Sequence, residues 1–573
     1  MTERRIGVFI CHCGGNISDY VDVERVRQAV EKEPDVIVSR TVMFACSDAS
    51  QQEMIDAIKD EKLNGLVVAS CSPKLHLYTF RAAAERAGMN QYQYIQVNLR
   101  EQDSWAHRDD MEKATQKGIR LVRAGIAKAR ASEALSTFRV ETKPSVLVIG
   151  AGIAGLRASL ALSDMGLSVF LIERESEVGG WTRKWGETFL RDKKGYEYVE
   201  KLEKDIKGRE NITLFTNAEL KEQAGAVGNF DIKVQVKGGD AISLNVGAIV
   251  VATGFDSYKP SEGEFGFGSP GVITLPDFKQ IVDSSPEGKI EVNGRRVKDI
   301  AYIYCVGSRQ GDEVENPNTY CSRYCCSATV HTAGLVQRKD ERINQFHLFR
   351  DMRTYGKAEL IYEQAAKHGS VFLRFQDAPE VRSEGEKIVV TVKDELSGGD
   401  PFEVAVDLVV LVTGMVPREN SSLVGNLKIP LGKDGFFNEI HPKLRPVETV
   451  MNGIFIVGVS QGPKNIAESV ASALAGVAKS AALLMKGYVE LEPFVAVVNN
   501  DKCTWCGACM EACPYSAIRK TVAGSKEVAE VVPALCKGGG ACLPECPEDA
   551  IDLRGYTDEQ IRSMITAMAK EVA

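Results

Sequence analysis

Hydrophobic positions along this chain fall into short uninterrupted runs, each followed by a stretch with helical spacing. Ile6–Ile10, Val36–Val38 and Gly65–Ala69 are such runs, and Val21–Val30 and Gln51–Ile58 repeat apolar residues every three or four positions. This predicts a small α/β unit over residues 1–140, which ends in a charged, Ala-rich helix over Asp109–Glu133. The pattern resumes with a strand, a Gly-rich turn and a helix start over Ser145–Gly155. Further strands are expected at Val169–Ile172, Ala248–Ala252, Ile300–Cys305, Leu408–Val412 and Ile454–Val457, with helices between them such as Ala467–Leu484. Alternation of this kind predicts a doubly wound α/β architecture. Near residue 490 it gives way to short segments punctuated by Cys and Pro, closed by a helix over Thr557–Lys570.

At 573 residues, 44% hydrophobic and 26% charged, the chain has the size and composition of several globular domains. A net charge of −8 without a Lys/Arg block argues against a nucleic-acid binder. No apolar run reaches about 18 residues, so no membrane span is expected. The apolar start breaks at Cys11-His-Cys-Gly-Gly, too soon for a signal peptide, and reads as a first strand. Fifteen cysteines, an odd number, suit metal binding in a reducing, cytoplasmic setting better than a disulfide framework. The seven histidines are scattered, and no Ser/His/Asp, paired-acid or P-loop constellation is present.

The cysteines sort into groups. Cys503-x₂-Cys506-x₂-Cys509-x₃-Cys513-Pro514 is the run of bacterial ferredoxins, in which the fourth cysteine serves the other cluster. One cluster is then expected on Cys503, Cys506, Cys509 and Cys546. The second run, Cys536, Cys542 and Cys546, has Gly539 where its second cysteine belongs. Cys513, Cys536 and Cys542 remain for the other cluster. Three thiolates suit a 3Fe–4S cluster or a 4Fe–4S cluster with an open or non-Cys corner; loss of the cluster is the alternative. Cys305, Cys321, Cys325 and Cys326 match no common zinc spacing and suit a 4Fe–4S cluster, with a Cys325–Cys326 disulfide as the alternative. Cys11, Cys13, Cys46 and Cys71 lie at strand ends and are read either as a fourth ligand set or as buried structural cysteines. His12 and His76 lie near them, either as alternative ligands or, the preferred reading, as loop histidines.

In Val146-Leu-Val-Ile-Gly150-Ala-Gly152-Ile153-Ala154-Gly155 the first glycine makes a tight turn. The second admits a pyrophosphate, and the third lets helix and strand pack closely. The helix N-terminus faces the phosphates. Glu173 closes the second strand, where an acid accepts from a ribose hydroxyl.

Glu173-Arg174…Gly179-Gly180-Trp181, Val251-Ala-Thr253-Gly254 and Gly453…Gly458 resemble segments of two-dinucleotide-domain flavoproteins of the thioredoxin-reductase type. That resemblance implies FAD, held by Gly150, Gly152, Ile153, Ala154, Gly155, Glu173, Arg174, Gly180, Trp181, Thr253, Gly254, Gly458, Lys464 and Ile466. Val459-Ser-Gln-Gly-Pro-Lys464 replaces the usual acid of the second FAD motif. Lys464 is read as a cation beside the flavin, in a catalytic role, or as a solvated loop lysine. The strand matching the nicotinamide site opens into Cys305 rather than GxGxxG, so no NAD(P)H binding is expected.

The mid-chain cysteine set, together with Cys11-His-Cys13-Gly-Gly-Asn-Ile, Ala45-Cys46-Ser-Asp, Ala69-Ser-Cys71-Ser-Pro-Lys-Leu-His76 and Val459-Ser-Gln-Gly-Pro-Lys464, resembles the HdrA family, the flavin-bearing component of heterodisulfide reductase, over nearly the whole chain. The resemblance is to a short form: no cysteine lies between Gly180 and Ala252, where the methanogen form carries an inserted ferredoxin module. It implies an oxidoreductase component with FAD and about three or four clusters, splitting or merging electron pairs at the flavin. The alternative is an electron-transfer or assembly component of a quinone-linked complex. Implied partners are HdrB- and HdrC-like subunits, an electron-input subunit linked to hydrogenase, formate or NADH, and ferredoxin, with the chain itself a homodimer within the larger complex. The implied domains are an N-terminal cluster domain (1–140), a split FAD domain (141–260 and 416–490) around a degenerate NAD-type domain (261–415), and a ferredoxin-like α+β domain (491–573).

Overall fold

The computed structural model describes residues 3–188 and 193–570. Its contacts divide the chain into two compact units, Met1–Val140 with Glu490–Ala573, and Glu141–Val489.

The first unit is built on a four-stranded parallel sheet in the order Val36–Val42, Ile6–Cys11, Gly65–Ser70, Tyr94–Asn98. The two central strands are buried along their whole length, as expected for parallel strands covered on both faces. The helices start on side-chain caps. Asp22 accepts from Arg25 N before Val23–Glu31, and Ser47 accepts from Ser50 N before Asp48–Asp60. The fourth strand and the π-helical turn Arg100–Ser104 that follows it carry no clear periodicity and went unread in the sequence. The C-terminal segment adds a hairpin, Ile518–Ala523 with Lys526–Val531, and the antiparallel pair Ala496–Val498 with Ile551–Leu553. Its last helix, Asp558–Ala569, lies on Met111–Arg130. Gln560 donates to the Ala131 carbonyl at 3.0 Å, and Arg81 pairs with Glu492 at 3.0 Å.

The second unit repeats one design twice. A five-stranded parallel sheet runs in the order Ile212–Phe215, Ser168–Ile172, Ser145–Ile149, Ala248–Val251, Ile454–Ile456. A three-stranded antiparallel meander (residues 218–246) precedes its Ala248 strand. The second parallel sheet runs Val272–Thr274, Leu408–Thr413, Asp299–Val306, Asn344–Phe349, Val371–Arg374, again with an antiparallel meander (residues 380–406) before the Leu408 strand. This is the two-dinucleotide-domain arrangement. The helix Ile466–Leu484 has the length and mean hydropathy (1.3) of a membrane span, which the run-length reading of the sequence did not anticipate. Here it is a domain helix, opened by an Asn465/Glu468 capping box and packed on Ile153–Asp164.

Candidate functional site

A cleft of about 350 Å³ opens at the C-terminal ends of the first parallel sheet. Of the residues expected to hold FAD, Gly150, Gly152, Ile153, Ala154, Glu173, Arg174, Gly180, Trp181, Thr253 and Gly254 line it. A Cβ on Gly150 would come within 2.5 Å of the Ala252 carbonyl, whereas one on Gly152 would meet no atom within 4 Å. Gly155 does not line the cleft. Its Cβ would collide with the Gly150 carbonyl, so it sets the contact between turn and helix. Glu173 is buried, 7% exposed, and accepts from Ala151 N at 2.7 Å and Glu175 N at 3.1 Å. Each of its oxygens keeps a second lone pair. The Thr253 hydroxyl is buried without a partner in the same wall. An open approach at Gly152, a helix N-terminus and an unpaired hydroxyl fit the pyrophosphate and ribose of a dinucleotide.

Gly458, Lys464 and Ile466 are not among the lining residues; their neighbours Val459 and Ser469 are. Lys464 is half-buried beyond the turn Gly458–Gln461, and burial, reinforced by Arg323, lowers its amine to about 8. Arg418 also lines the cleft, donating to the Phe255 carbonyl at 3.2 Å and pairing with Asp256 at 3.4 Å. It is an isolated Arg after a Pro in the sequence, with no motif around it to reveal it.

Cys305, Cys321, Cys325 and Cys326 converge at the equivalent end of the second sheet. The register of Asp299–Val306 slips between Ile303 and Val306, and Cys305 takes a left-handed φ of 64°. This kink at the strand end is a costly conformation for a non-glycine residue, of the kind found at functional sites. Burial raises the Cys305 thiol to about 11, with Cys326 adding to the shift and Arg309 and Arg350 opposing it. Cys325 is raised by its neighbours and by burial. Cys326 is lowered by the Cys325 hydrogen bond and by Arg353 and Arg309. Three guanidiniums therefore surround four crowded thiols, which suits the net negative charge of a thiolate-ligated cluster. Tyr324, next to Cys325, packs on Phe255 with ring centroids 6.4 Å apart; Phe255 lines the cleft and stacks on Trp181 at 5.7 Å.

In the first unit, Cys11 ends its strand rather than following it. Its Sγ accepts from Cys13 N at 3.2 Å and Ala45 N at 3.3 Å. Burial raises Cys11, with Cys13 and Cys46 contributing, and burial raises Cys71 to about 11, with Cys13 and Cys11 contributing. Cys11 is thus within electrostatic reach of Cys13, Cys46 and Cys71. The π-turn supplies a clamp that sequence reasoning missed. Arg100 donates to Cys13 Sγ at 3.4 Å, pairs with Glu101 at 2.8 Å and covers the Trp105 ring at 4.8 Å, while Glu101 accepts from Ser72 N at 2.8 Å. His76 turns to its own helix, 3.5 Å from the Thr79 hydroxyl.

In the C-terminal segment a small cavity, about 20 Å³, is lined by Cys503, Cys506, Cys509 and Cys546. Cys542 is raised to about 11 by burial, with Cys536 and Cys513 close enough to add to it. Among the described residues no three His, Cys, Asp or Glu side chains close around a single metal ion. Thiolates bound to separate corners of an iron–sulfur cube stand farther apart than ligands of one ion.

A dinucleotide cleft in a two-dinucleotide-domain frame, joined in one chain to a ferredoxin module, defines an oxidoreductase component of the flavin and iron–sulfur type. Residues 144–294 match the family described as pyridine nucleotide-disulphide oxidoreductase, and residues 502–550 match the 4Fe-4S dicluster domain. The chain is 35% identical to the HdrA component of the H(2):CoB-CoM heterodisulfide,ferredoxin reductase of Methanothermobacter thermautotrophicus over 604 residues, covering 90% of this chain and 91% of the relative. It is 33% identical to the HdrA iron-sulfur component of the CoB--CoM heterodisulfide reductase of Methanocaldococcus jannaschii, with 98% of each chain covered. The thioredoxin reductase of T. acidophilum resembles 60% of this chain at 16% identity and a TM-score of 0.40, over 97% of its own length. The chain belongs to the HdrA family of heterodisulfide reductase components.

Proposed function

We propose that this chain is the FAD and iron–sulfur component of a heterodisulfide-reductase-like complex, splitting or merging electron pairs at FAD and relaying single electrons. The observation that carries this is the pairing within one unit of a dinucleotide cleft and four converging thiols, linked through Tyr324 and Phe255. The flavin, when bound, supplies exchange between two-electron and one-electron chemistry. The chain's own residues hold and insulate it. Gly152 and the helix N-terminus receive the pyrophosphate, Glu173 the ribose, and the Trp181–Phe255 stack walls the site from water. Lys464 is assigned the role of a cation toward the flavin, favouring its reduced form.

Clusters are assigned to Cys11/Cys13/Cys46/Cys71, to Cys305/Cys321/Cys325/Cys326 and to Cys503/Cys506/Cys509/Cys546, with a three-thiolate set at Cys513/Cys536/Cys542. The partners are HdrB- and HdrC-like subunits, an electron-input subunit linked to hydrogenase, formate or NADH, and ferredoxin, in a larger cytoplasmic complex in which this chain is a homodimer. The names of relatives pair this component with ferredoxin and with hydrogen or formate.

The alternative, a one-electron relay or assembly component of a quinone-linked complex, is favoured by one observation. The 604-residue alignment uses only 90% of this 573-residue chain, so the methanogen relative carries residues without a counterpart here. Purified complex, given its two-electron donor, decides between them. Bifurcation requires ferredoxin reduction that stops when the high-potential acceptor is withheld. Ferredoxin-independent turnover supports the relay.

A further inference from the structure

The second cysteine run of the C-terminal segment lacks one thiolate, and the fold does not explain the gap. Glycine is demanded where φ is left-handed or where a Cβ would collide. Gly538 and Gly540 have φ of 64° and 74°, but Gly539 between them does not adopt a positive φ, and a Cβ there would meet no atom within 4 Å. The backbone would accept cysteine.

The two runs are structural equivalents, so the first shows which way the missing side chain would face. Cys513 Sγ accepts from Ala517 N at 3.4 Å and Cys546 Sγ from Ala550 N at 3.2 Å, each from four residues onward. Cys503 accepts from Ala529 N at 3.4 Å, as Cys536 does from Ala496 N at 3.5 Å. The counterpart of Gly539 is Cys506, which is exposed, whereas Cys503 and Cys509 are buried. Gly539 is exposed as well. The corner without a thiolate is the one that meets solvent.

We infer that the corner at Gly539 is a solvent-facing ferrous-ion site: Cys513, Cys536 and Cys542 hold three irons of the cluster, and the fourth position takes up and releases Fe²⁺. This rests on the reading that those three thiolates hold a cluster. The exchange moves no electron. The ion enters and leaves as Fe²⁺ while the three-iron group is in its one-electron-reduced state, and the chain's own relay supplies that electron beforehand. The bonds made and broken join the ion to three bridging sulfides, and solvent completes its shell. A relay with such a corner responds to iron supply, because burial, charge and cluster type set the potential.

The full chain, purified anaerobically, is mildly oxidised with a ferrous chelator, then reduced and treated with ferrous ammonium sulfate. EPR, Mössbauer spectra and iron content are followed. The expected result is a three-iron signal in the oxidised chain that disappears on iron addition, with the iron content returning. Gly539→Cys abolishes the cycle by locking the fourth iron. A wild-type cluster that keeps all its iron under oxidation overturns the inference, because another donor, such as the neighbouring Lys537, then closes the corner. This readout needs no variant to fold. Cys542→Ser tests the underlying reading separately: unchanged iron content and spectra mean that the three thiolates hold no cluster.

Discussion

Two single-methyl substitutions separate the folding role of the glycine turn from its binding role. At Gly155 the added Cβ meets the Gly150 carbonyl, a backbone atom that cannot swing aside, so the helix Ile153–Asp164 must lift from the turn. Overpacking of this kind costs about 1–3 kcal/mol. Gly155→Ala should therefore lower the unfolding midpoint of the flavin-free chain and weaken FAD together. Gly152 has an ordinary φ of −71° and open space around its Cβ, so alanine fits the flavin-free fold. Loss of backbone freedom in the unfolded chain makes Gly152→Ala neutral or up to about 1 kcal/mol stabilising. The same methyl stands where the pyrophosphate must approach, and a loss of about 1.4–3 kcal/mol in binding corresponds to roughly 10–150-fold weaker FAD. Thermal unfolding of the flavin-free chain and FAD titration by fluorescence quenching measure the two effects. The reasoning fails if Gly152→Ala binds FAD like wild type, or if it loses stability as Gly155→Ala does.

Other expectations follow from the thiol sites and one buried acid. Arg100→Gln removes a charged donor to Cys13 Sγ, and at fixed poise the reduced-to-oxidised ratio of the cluster proposed there should fall about tenfold, a shift of about 59 mV to lower potential; an unmoved midpoint with iron retained would refute this role. Cys305→Ser should remove one cluster's iron and leave the flavin bound, checked by iron and FAD content per chain. Asp103 is fully buried with both oxygens unpartnered, and burial raises its carboxyl to about 7. The folded chain holds this proton while the unfolded chain releases it near the ordinary carboxylate value of about 4. The contribution of Asp103 to stability is therefore favourable at low pH and is lost as pH rises to about 7. Asp103→Asn should unfold at higher urea than wild type at pH 8 and show a flatter pH dependence; parallel profiles would contradict this.

The parallel strands were legible because both faces are buried. Ile6–Cys11 and Ala248–Val251 read as apolar runs and nothing else. The antiparallel meanders were not. Ala218–Ala226 and Glu380–Glu384 are largely exposed, and their alternation is diluted by Glu, Lys and Gly. The glycine turn and Glu173 were readable because their spacing is local, whereas Arg418 reaches the cleft from a strand end more than 240 positions after Glu173. Arg309 on one side, and Arg350 and Arg353 from the loop after Phe349 on the other, are likewise brought to the mid-chain thiols by segments distant in sequence, and Arg100 by a π-turn that has no sequence signature. That residues 1–140 and 490–573 share one compact unit depends on pairs such as Arg81–Glu492, which local periodicity cannot record.

Potentiometric titration of the purified complex, with the one-electron flavin signal followed by EPR, tests the central claim most directly. Electron splitting requires the two one-electron potentials of the flavin to be crossed, so the account predicts that this signal never accumulates at any poise. Accumulation over a broad range of potential would contradict it and make the flavin a simple relay.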